Sequence, residues 1–323
     1  MAWSAKATEI MRRIVAASNS DILMFNAPIE RPRDRRLIER VIKRTRRPNL
    51  LMILVTNGGD PDAAYRIARC IQDHYRNFTV CVSGICKSAG TLLLLGATEL
   101  AFSEYGELGP LDIQMAKKDE LWESESGLTV MTALSAIHEN AQDAFDHFLL
   151  SLTTRSGGRI TVRTASEIAA KLTEALYSRI SEQIDPIHMG EVNRSMAIAQ
   201  QYGIRLMSRS ENFDVDTLKS LISDYPSHGF VIDKCEAKDK FKNVRECTDD
   251  ELALFEDLGN YALVPSASPW VKFISDDISE EDTAHAETEP TTILEQHATN
   301  GASKEAATGV PLEGESGTAS AAV

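Results

Sequence analysis

Short blocks of apolar residues recur along the first third of the chain, and their spacing alternates between strand and helix patterns. The continuous apolar run at 50–56 is typical of a strand that is buried on both faces of a sheet. Strands are predicted at 21–29, 50–56, 78–82 and 100–102, and helices between them at 31–47, 61–74 and 91–97. This alternation predicts an α/β fold with a mostly parallel sheet flanked by helices.

The remainder of the chain has mainly helical periodicity. Helices are predicted at 131–154, 166–177, 192–202 and 215–221, with a short strand at 229–233. The pair Gly157–Gly158 is expected to end the first of these helices. Three regions follow from the pattern, namely an N-terminal helix at 1–20, one domain at 21–265 with a helical C-terminal part, and a tail at 276–323.

The predicted tail carries most of the charge of the chain. It holds eleven acidic residues and one lysine, about −10 of the formal net charge of −14. Few large apolar residues accompany these charges, so we expect the tail to be disordered. The acidity is therefore a property of the tail and says little about a substrate.

The composition and local sequence bear on the location of the protein, on membrane segments and on nucleic-acid binding. The five cysteines show no CxxC pair and neither metal-ligand nor disulfide spacing, so we expect a reducing, cytoplasmic location. The N-terminal sequence lacks the apolar run of a signal peptide, and the apolar stretch at 91–97 is shorter than the ~18 residues of a membrane span. The basic helix at 31–47 has no interleaved aromatics, so we expect a solvated face and no nucleic-acid binding.

Two turns that follow predicted strands are the candidates for chemistry. The first, at 56–60, has the sequence TNGGD, and Asp60 and Pro61 are expected to begin the next helix. The second, at 83–91, places Ser88 between small residues at the start of an apolar helix. Because the carboxyl ends of parallel strands share one edge of the sheet, we expect the two turns to meet there. Free N–H groups at a helix start are able to stabilise an oxyanion near a nucleophile.

Three segments together resemble a known family. They are LMILVTNGGD at 51–60, KSAGTLLLLG at 87–96 and ELGPLDIQ at 107–114. They resemble the serine dehydrogenase proteinase family, which is related to signal peptide peptidase within the Clp protease and crotonase superfamily. The resemblance implies a Clp/crotonase-like fold of repeated β-β-α units. It also implies that Ser88 is the nucleophile and that the N–H groups of Gly59 and Ala89 form the oxyanion hole.

The general base is where the chain departs from the Clp protease pattern. No histidine lies in the 108–111 segment, whereas signal peptide peptidases use a lysine downstream of it. That resemblance favours Lys118, which precedes Asp119, and then Lys117. His228 is the alternative base, and Asp112 is a candidate to orient the base. Lys87 is expected to have a packing or electrostatic role.

These observations predict a cytoplasmic serine endopeptidase of the Ser-Lys type that acts on polypeptides through an acyl-enzyme. The resemblance also implies self-association into a homo-oligomer, and the mechanism implies no metal or organic cofactor. Two alternatives remain open. One is a crotonase-like acyl-CoA enzyme that uses the same oxyanion hole without Ser88, and the other is a catalytically inactive Clp-fold scaffold.

Overall fold

The computed structural model describes residues 3–111, 114–116, 124–182 and 184–278. The helices are α1 Ala5–Ser18, α2 Arg31–Lys43, α3 Pro61–His74, α4 Ala89–Leu94, α5 Gly127–Arg155, α6 Val162–Ser181, α7 Pro186–Ser210, α8 Val215–Ser223, α9 Lys234–Lys240, α10 Asp249–Leu258 and α11 Asn260–Leu263. The strands are β1 Ser20–Asn26, β2 Asn49–Val55, β3 Asn77–Val82, β4 Ile85–Cys86, β5 Glu99–Phe102, β6 Glu107–Leu108, β7 Gln114–Ala116, β8 Ser124–Ser126, β9 Val244–Glu246 and β10 Trp270–Phe273.

A six-stranded sheet forms the centre of the fold. Its strand order is β10-β1-β2-β3-β5-β9, and every neighbouring pair is parallel except β10 with β1. Two short ribbons, the parallel β4-β6 pair and the antiparallel β7-β8 pair, lie outside this sheet. The predicted α/β class with a mostly parallel sheet is confirmed.

Helices cover both faces of the sheet, which explains the continuous apolar runs in the strands. Met52 and Leu54 of β2 pack into a core shared with α2 and α3, whereas Leu51 and Ile53 pack into a second core with α1 and α10. Successive side chains of a strand point to opposite faces, so both sets are buried only when both faces are covered. Each fully buried aliphatic side chain contributes roughly 1.5–3 kcal/mol of transfer free energy.

Two predicted helix boundaries are confirmed, the start of α3 and the end of α5. The Asp60 carboxylate accepts hydrogen bonds from the backbone N–H groups of Asp62 (2.8 Å) and Ala63 (3.2 Å), so it caps the α3 helix. Gly157 and Gly158 follow the end of α5 with φ values of +58° and +80°.

Long-range pairings were not predicted. Strand β10 lies beyond the expected domain limit at 265, and it pairs with β1 from the other end of the chain. The strand expected at 229–233 is reduced to a single antiparallel bridge between Ile232 and Leu108. The last described residues, which belong to the predicted tail, also contact the body: Trp3 donates to Asp277 at 2.7 Å, and Ile278 is buried.

A buried ionic cluster joins the start of β1 to the end of α2. Asp21 is fully buried, and its carboxylate lies 3.1 Å from Nη1 of Arg44 and 3.1 Å from Nη1 of Arg47. The Tyr75 hydroxyl donates to the same carboxylate at 2.9 Å, and burial beside this carboxylate raises the pKa of Tyr75. Arg44 also pairs with Asp276 after β10. The Asp21 cluster therefore connects four separate parts of the chain, namely β1, the end of α2, the residue after α3 and the segment after β10.

We expect Asp21→Asn to lower the free energy of unfolding by about 3–5 kcal/mol, because it removes a buried charge and leaves its cationic partners uncompensated. Urea denaturation measures this change. Asp250→Asn is the matched control, since the Asp250 carboxylate pairs with the exposed Arg13. Its effect should be much smaller. Equal effects of the two substitutions would show that the Asp21 cluster does not stabilise the fold.

Candidate active site

Ser88 occupies a strained backbone position immediately before α4. Its φ and ψ are 54° and −118°, a conformation that residues with a Cβ rarely adopt. The other non-glycine residues with positive φ in the described chain are Asn19 and Glu211, and both follow the last residue of a helix, where the left-handed conformation is common. Ser88 instead begins a helix. Strain of this kind at a strand-to-helix turn exposes a nucleophile in other enzyme folds.

The end of β2 is hydrogen-bonded to the β4 segment that precedes Ser88. The Thr56 N–H donates to the Ile85 carbonyl at 2.9 Å, and the Lys87 N–H donates to the Thr56 carbonyl at 3.0 Å. The structure thus brings together the two turns that the sequence placed at strand ends. Gly90 permits the close packing, because a Cβ there would lie 2.5 Å from Thr56 Cγ2.

Gly58 is the glycine that packs directly against the Ser88 turn. Its φ is +105°, and an added Cβ would lie 2.8 Å from Ser88 Cβ and 3.0 Å from the Ala89 nitrogen. This contact was not predicted from the sequence, where Gly59 was the candidate. The paired glycines were the only signal for it, and they do not reveal which of the two faces the serine.

Gly59 is held by a bridge to the segment between β1 and α2. Its φ is +140°, and an added Cβ would lie 2.1 Å from the Ile29 carbonyl oxygen. The Ile29 N–H donates to the Gly58 carbonyl at 2.9 Å, and the Asp60 N–H donates to the Ile29 carbonyl at 2.8 Å. These bonds fix the backbone on both sides of Gly59 and leave its own N–H out of the pairing.

Three polar groups of the two turns have no partner within the described chain. They are the backbone N–H of Gly59, the backbone N–H of Ala89 and the Oγ of Ser88. Ala89 is the first residue of α4, where an N–H lacks an intrahelical acceptor. Ser88 as a residue is half-buried. The arrangement offers one nucleophile and two hydrogen-bond donors.

The Lys87 amine binds acceptors outside the Ser88 turn. Its Nζ lies 3.0 Å from the Glu107 carboxylate and donates to the carbonyls of Leu108 and Phe230, each at 3.2 Å. The side chain lies along Gly109, where an added Cβ would meet Lys87 Cδ at 2.6 Å. As expected, Lys87 has a packing and electrostatic role, in which it holds the β4-β6 ribbon to the 225–233 segment.

Of the residues predicted to act as the base or to orient it, the structure describes His228. Asp112, Lys117 and Lys118 lie outside the described residues. The chain that leads to them does run beside the Ser88 turn, because the Gly109 carbonyl accepts from Thr91 Oγ1 at 2.7 Å. The described chain before Asp112 therefore lies next to α4.

His228 lies on a neighbouring segment. It is half-buried and stands two residues before Phe230, whose carbonyl accepts from Lys87. The bridge between Ile232 and Leu108 holds this segment against β6. His228 is thus carried to the same edge of the molecule as Ser88, while its role as a base stays a prediction.

Cys86, two residues before Ser88, is not a second nucleophile. Cys86 is fully buried, and burial raises the pKa of its thiol, so the thiol stays protonated at neutral pH.

One group of potential metal ligands occurs in the described part of the chain, and it lies outside the Ser88 turn. The ligating atoms of Cys81, Cys247 and Glu251 lie within 4.8 Å of one another. Arg245 already donates to both oxygens of Glu251, each at 2.7 Å, so the carboxylate is neutralised by the guanidinium and needs no metal ion.

No protein-family model matches the chain, and no curated protein matches it either. Among solved structures, the chain is similar to the 1510-N membrane-bound stomatin-specific protease in a serine-to-alanine mutant form. The two share 16% identity with a TM-score of 0.28, over 45% of this chain and 66% of that one, just under two thirds of its length. A match of this strength does not identify an activity. Across the residues that the structure describes, no helix combines the length and the apolar character needed to cross a membrane.

We expect Gly58→Ala to destabilise the fold by at least about 3 kcal/mol, because the new methyl group clashes with the Ser88 turn and the backbone strain adds to that cost. Gly157→Ala is the control, since Gly157 also has positive φ but has no atom within 4 Å of the added Cβ. Its cost should be about 1 kcal/mol. Urea denaturation of both variants measures the difference, and equal costs would contradict the close packing of the two turns.

Proposed function

We propose that this chain is a Clp-fold serine peptidase that cleaves polypeptides through an acyl-enzyme on Ser88. The observation that carries the proposal is the strained Ser88 backbone, together with a hydroxyl group and the N–H groups of Gly59 and Ala89 that have no partner in the described part of the chain. Strain of about 1–3 kcal/mol persists only where the surrounding structure enforces it, and such residues cluster at functional sites.

The reaction follows from these groups. The base takes the proton from Ser88 Oγ as the oxygen attacks the substrate carbonyl carbon. The N–H groups of Gly59 and Ala89 donate to the oxyanion of the tetrahedral intermediate. The base then gives its proton to the leaving amine as the C–N bond breaks. The same base then takes a proton from water as the water oxygen attacks the ester carbon, and it returns that proton to Ser88 Oγ as the ester C–O bond breaks and the carboxylic acid is released.

Lys118 is our first choice for the base, and Lys117 is the second. Both follow Leu111 by six or seven residues, and an extended chain of that length spans roughly 20 Å. A lysine acts as a base only when it is neutral, so its surroundings must be apolar enough to lower its pKa. Asp112 is a candidate to orient the base, and His228 is the alternative base.

The geometry favours a peptidase over the two alternatives. A crotonase-like acyl-CoA enzyme needs the two N–H donors but not a hydroxyl between them, and a scaffold needs neither. Neither alternative uses the Ser88 hydroxyl group. As the family resemblance implies, we also propose that the active form is a homo-oligomer.

We expect Ser88→Ala to lower the rate of casein hydrolysis by at least about 10⁴-fold and to abolish labelling by a fluorophosphonate. Ser208→Ala, on the exposed surface of α7, is the matched control and should retain both. Ser88→Gly should be equally inactive but more stable than Ser88→Ala by about 1 kcal/mol, because glycine adopts the positive φ without strain. Near-normal hydrolysis by Ser88→Ala would refute the proposed mechanism.

We expect Lys118→Met to abolish hydrolysis while leaving the thermal midpoint unchanged. In the wild-type chain, activity should rise with pH through the lowered pKa of the lysine, since only the neutral amine accepts the serine proton. If Lys117 is the base, Lys117→Met has this effect instead. If His228 is the base, His228→Gln should abolish hydrolysis and both lysine variants should remain active. Full activity in both lysine variants would exclude the Ser-Lys arrangement.

A further inference from the structure

A basic groove lies between α2 and β10, away from the Ser88 turn. It has a volume of about 700 Å³ and is lined by five cations, Arg36, Arg40, Lys43, Arg44 and Lys272, and by the acids Glu39 and Asp276. We call this surface the α2–β10 groove. Its cations outnumber its acids, although the chain as a whole carries a formal net charge of −14.

Some of these cations are already neutralised. Arg44 pairs with Asp21 and Asp276, and Lys272 pairs with Asp277 at 2.6 Å. Glu39 is also engaged, since it pairs with Arg35 on its own helix.

Three exposed cations of the groove have no acidic partner within the described chain. Arg36 and Lys43 form no ion pair there, and Arg40 donates only to the Val271 carbonyl, at 2.9 Å. These residues lie at positions i, i+4 and i+7 of α2, so they share one face of the helix. A row of uncompensated charge on one face is suited to an anionic segment of extended chain.

The acidic segment 279–323 of this chain begins beside the groove. Arg44 binds Asp276 at the end of the groove, and the described chain stops two residues later at Ile278. Glu280, Glu281 and Asp282 follow at once, and the whole segment holds nine acids and one lysine.

The distances suit an intramolecular contact. From Arg36 to Arg44 the helix rises about 12 Å, and four extended residues span that length. Covalent attachment also gives the segment a high effective concentration at the groove.

We propose that the acidic segment binds the α2–β10 groove of its own chain, with the acids at 280–282 paired to Arg36, Arg40 and Lys43. The bound segment neutralises this face and excludes other polyanions from it. This inference does not depend on the proposed peptidase activity.

Carbodiimide cross-linking of the full chain tests the contact directly. The reagent converts a carboxylate to an O-acylisourea. The amine of Lys43 then attacks its carbonyl carbon and releases the urea, and peptide mass spectrometry locates the resulting amide. We expect a link between Lys43 and an acid of 280–282 whose yield does not depend on protein concentration. Raising the ionic strength from about 0.1 M to about 1 M should remove it, because the Debye length falls from ~10 Å to ~3 Å. Equal linking of the tail to Lys171, exposed on α6, would overturn the proposal.

A peptide of residues 279–323 added to a chain truncated after Ile278 gives an independent test. Fluorescence anisotropy should show binding to the truncated chain and at least tenfold weaker binding to the full chain, whose groove is already occupied. The triple change Arg36→Glu, Arg40→Glu and Lys43→Glu should abolish binding. The corresponding glutamine triple, which cannot repel the peptide, should weaken it at least tenfold.

The control variant changes the net charge by the same amount on a different surface, that of α5 and α6. Arg155→Glu, Lys171→Glu and Arg179→Glu change three exposed cations of α5 and α6. This variant should bind the peptide as the unaltered truncated chain does. Loss of binding in both charge-reversed triples, or equal binding of the peptide to the full and truncated chains, would refute a specific contact at the groove.

Discussion

The structure depends on the close packing of two backbone turns at the carboxyl ends of β2 and β3. Neither Gly58 nor Gly90 leaves space for a Cβ, because the atoms of the opposite turn lie within 3 Å of the position a Cβ would occupy. The Thr56–Cys86 bridge holds the two segments in register. With both turns fixed, Ser88 is forced into its positive φ and cannot relax toward an ordinary helix start. The same packing places the Ala89 nitrogen beside the glycine turn.

The parallel sheet explains why these turns meet. Parallel strands direct all of their carboxyl ends to one edge, so turns that are distant in sequence become neighbours there. Helices on both faces make the strands rigid, since side chains of β2 contribute to both cores. The opposite end of the sheet is held by the Asp21 cluster, where one buried carboxylate joins β1 to α2 and to the segment after β10. The Asp21 cluster and the candidate site therefore lie at opposite ends of the strands.

Sequence patterns predicted the parts of the fold that local chemistry determines. The apolar run of β2, the Asp60 cap of α3 and the glycine pair after α5 each carry their signal within a few residues. The pairing of β10 with β1 could not be predicted, because a four-residue strand with one charged position has no distinctive period and its partner lies at the other end of the chain. The candidate site was predicted as two turns, but not in its contacts. Whether Gly58 or Gly59 faces Ser88 is decided by the bridge to Ile29, and the engagement of Lys87 is decided by Glu107 on a separate strand.

A crystal structure of the chain after reaction with a peptidyl boronic acid tests the central claim most directly, because the boronate imitates the tetrahedral intermediate. The account predicts a covalent bond from Ser88 Oγ to boron, with one boronate oxygen about 2.7–3.1 Å from the backbone nitrogens of both Gly59 and Ala89. A boronate on another residue, or one on Ser88 whose oxygens contact neither nitrogen, would contradict it.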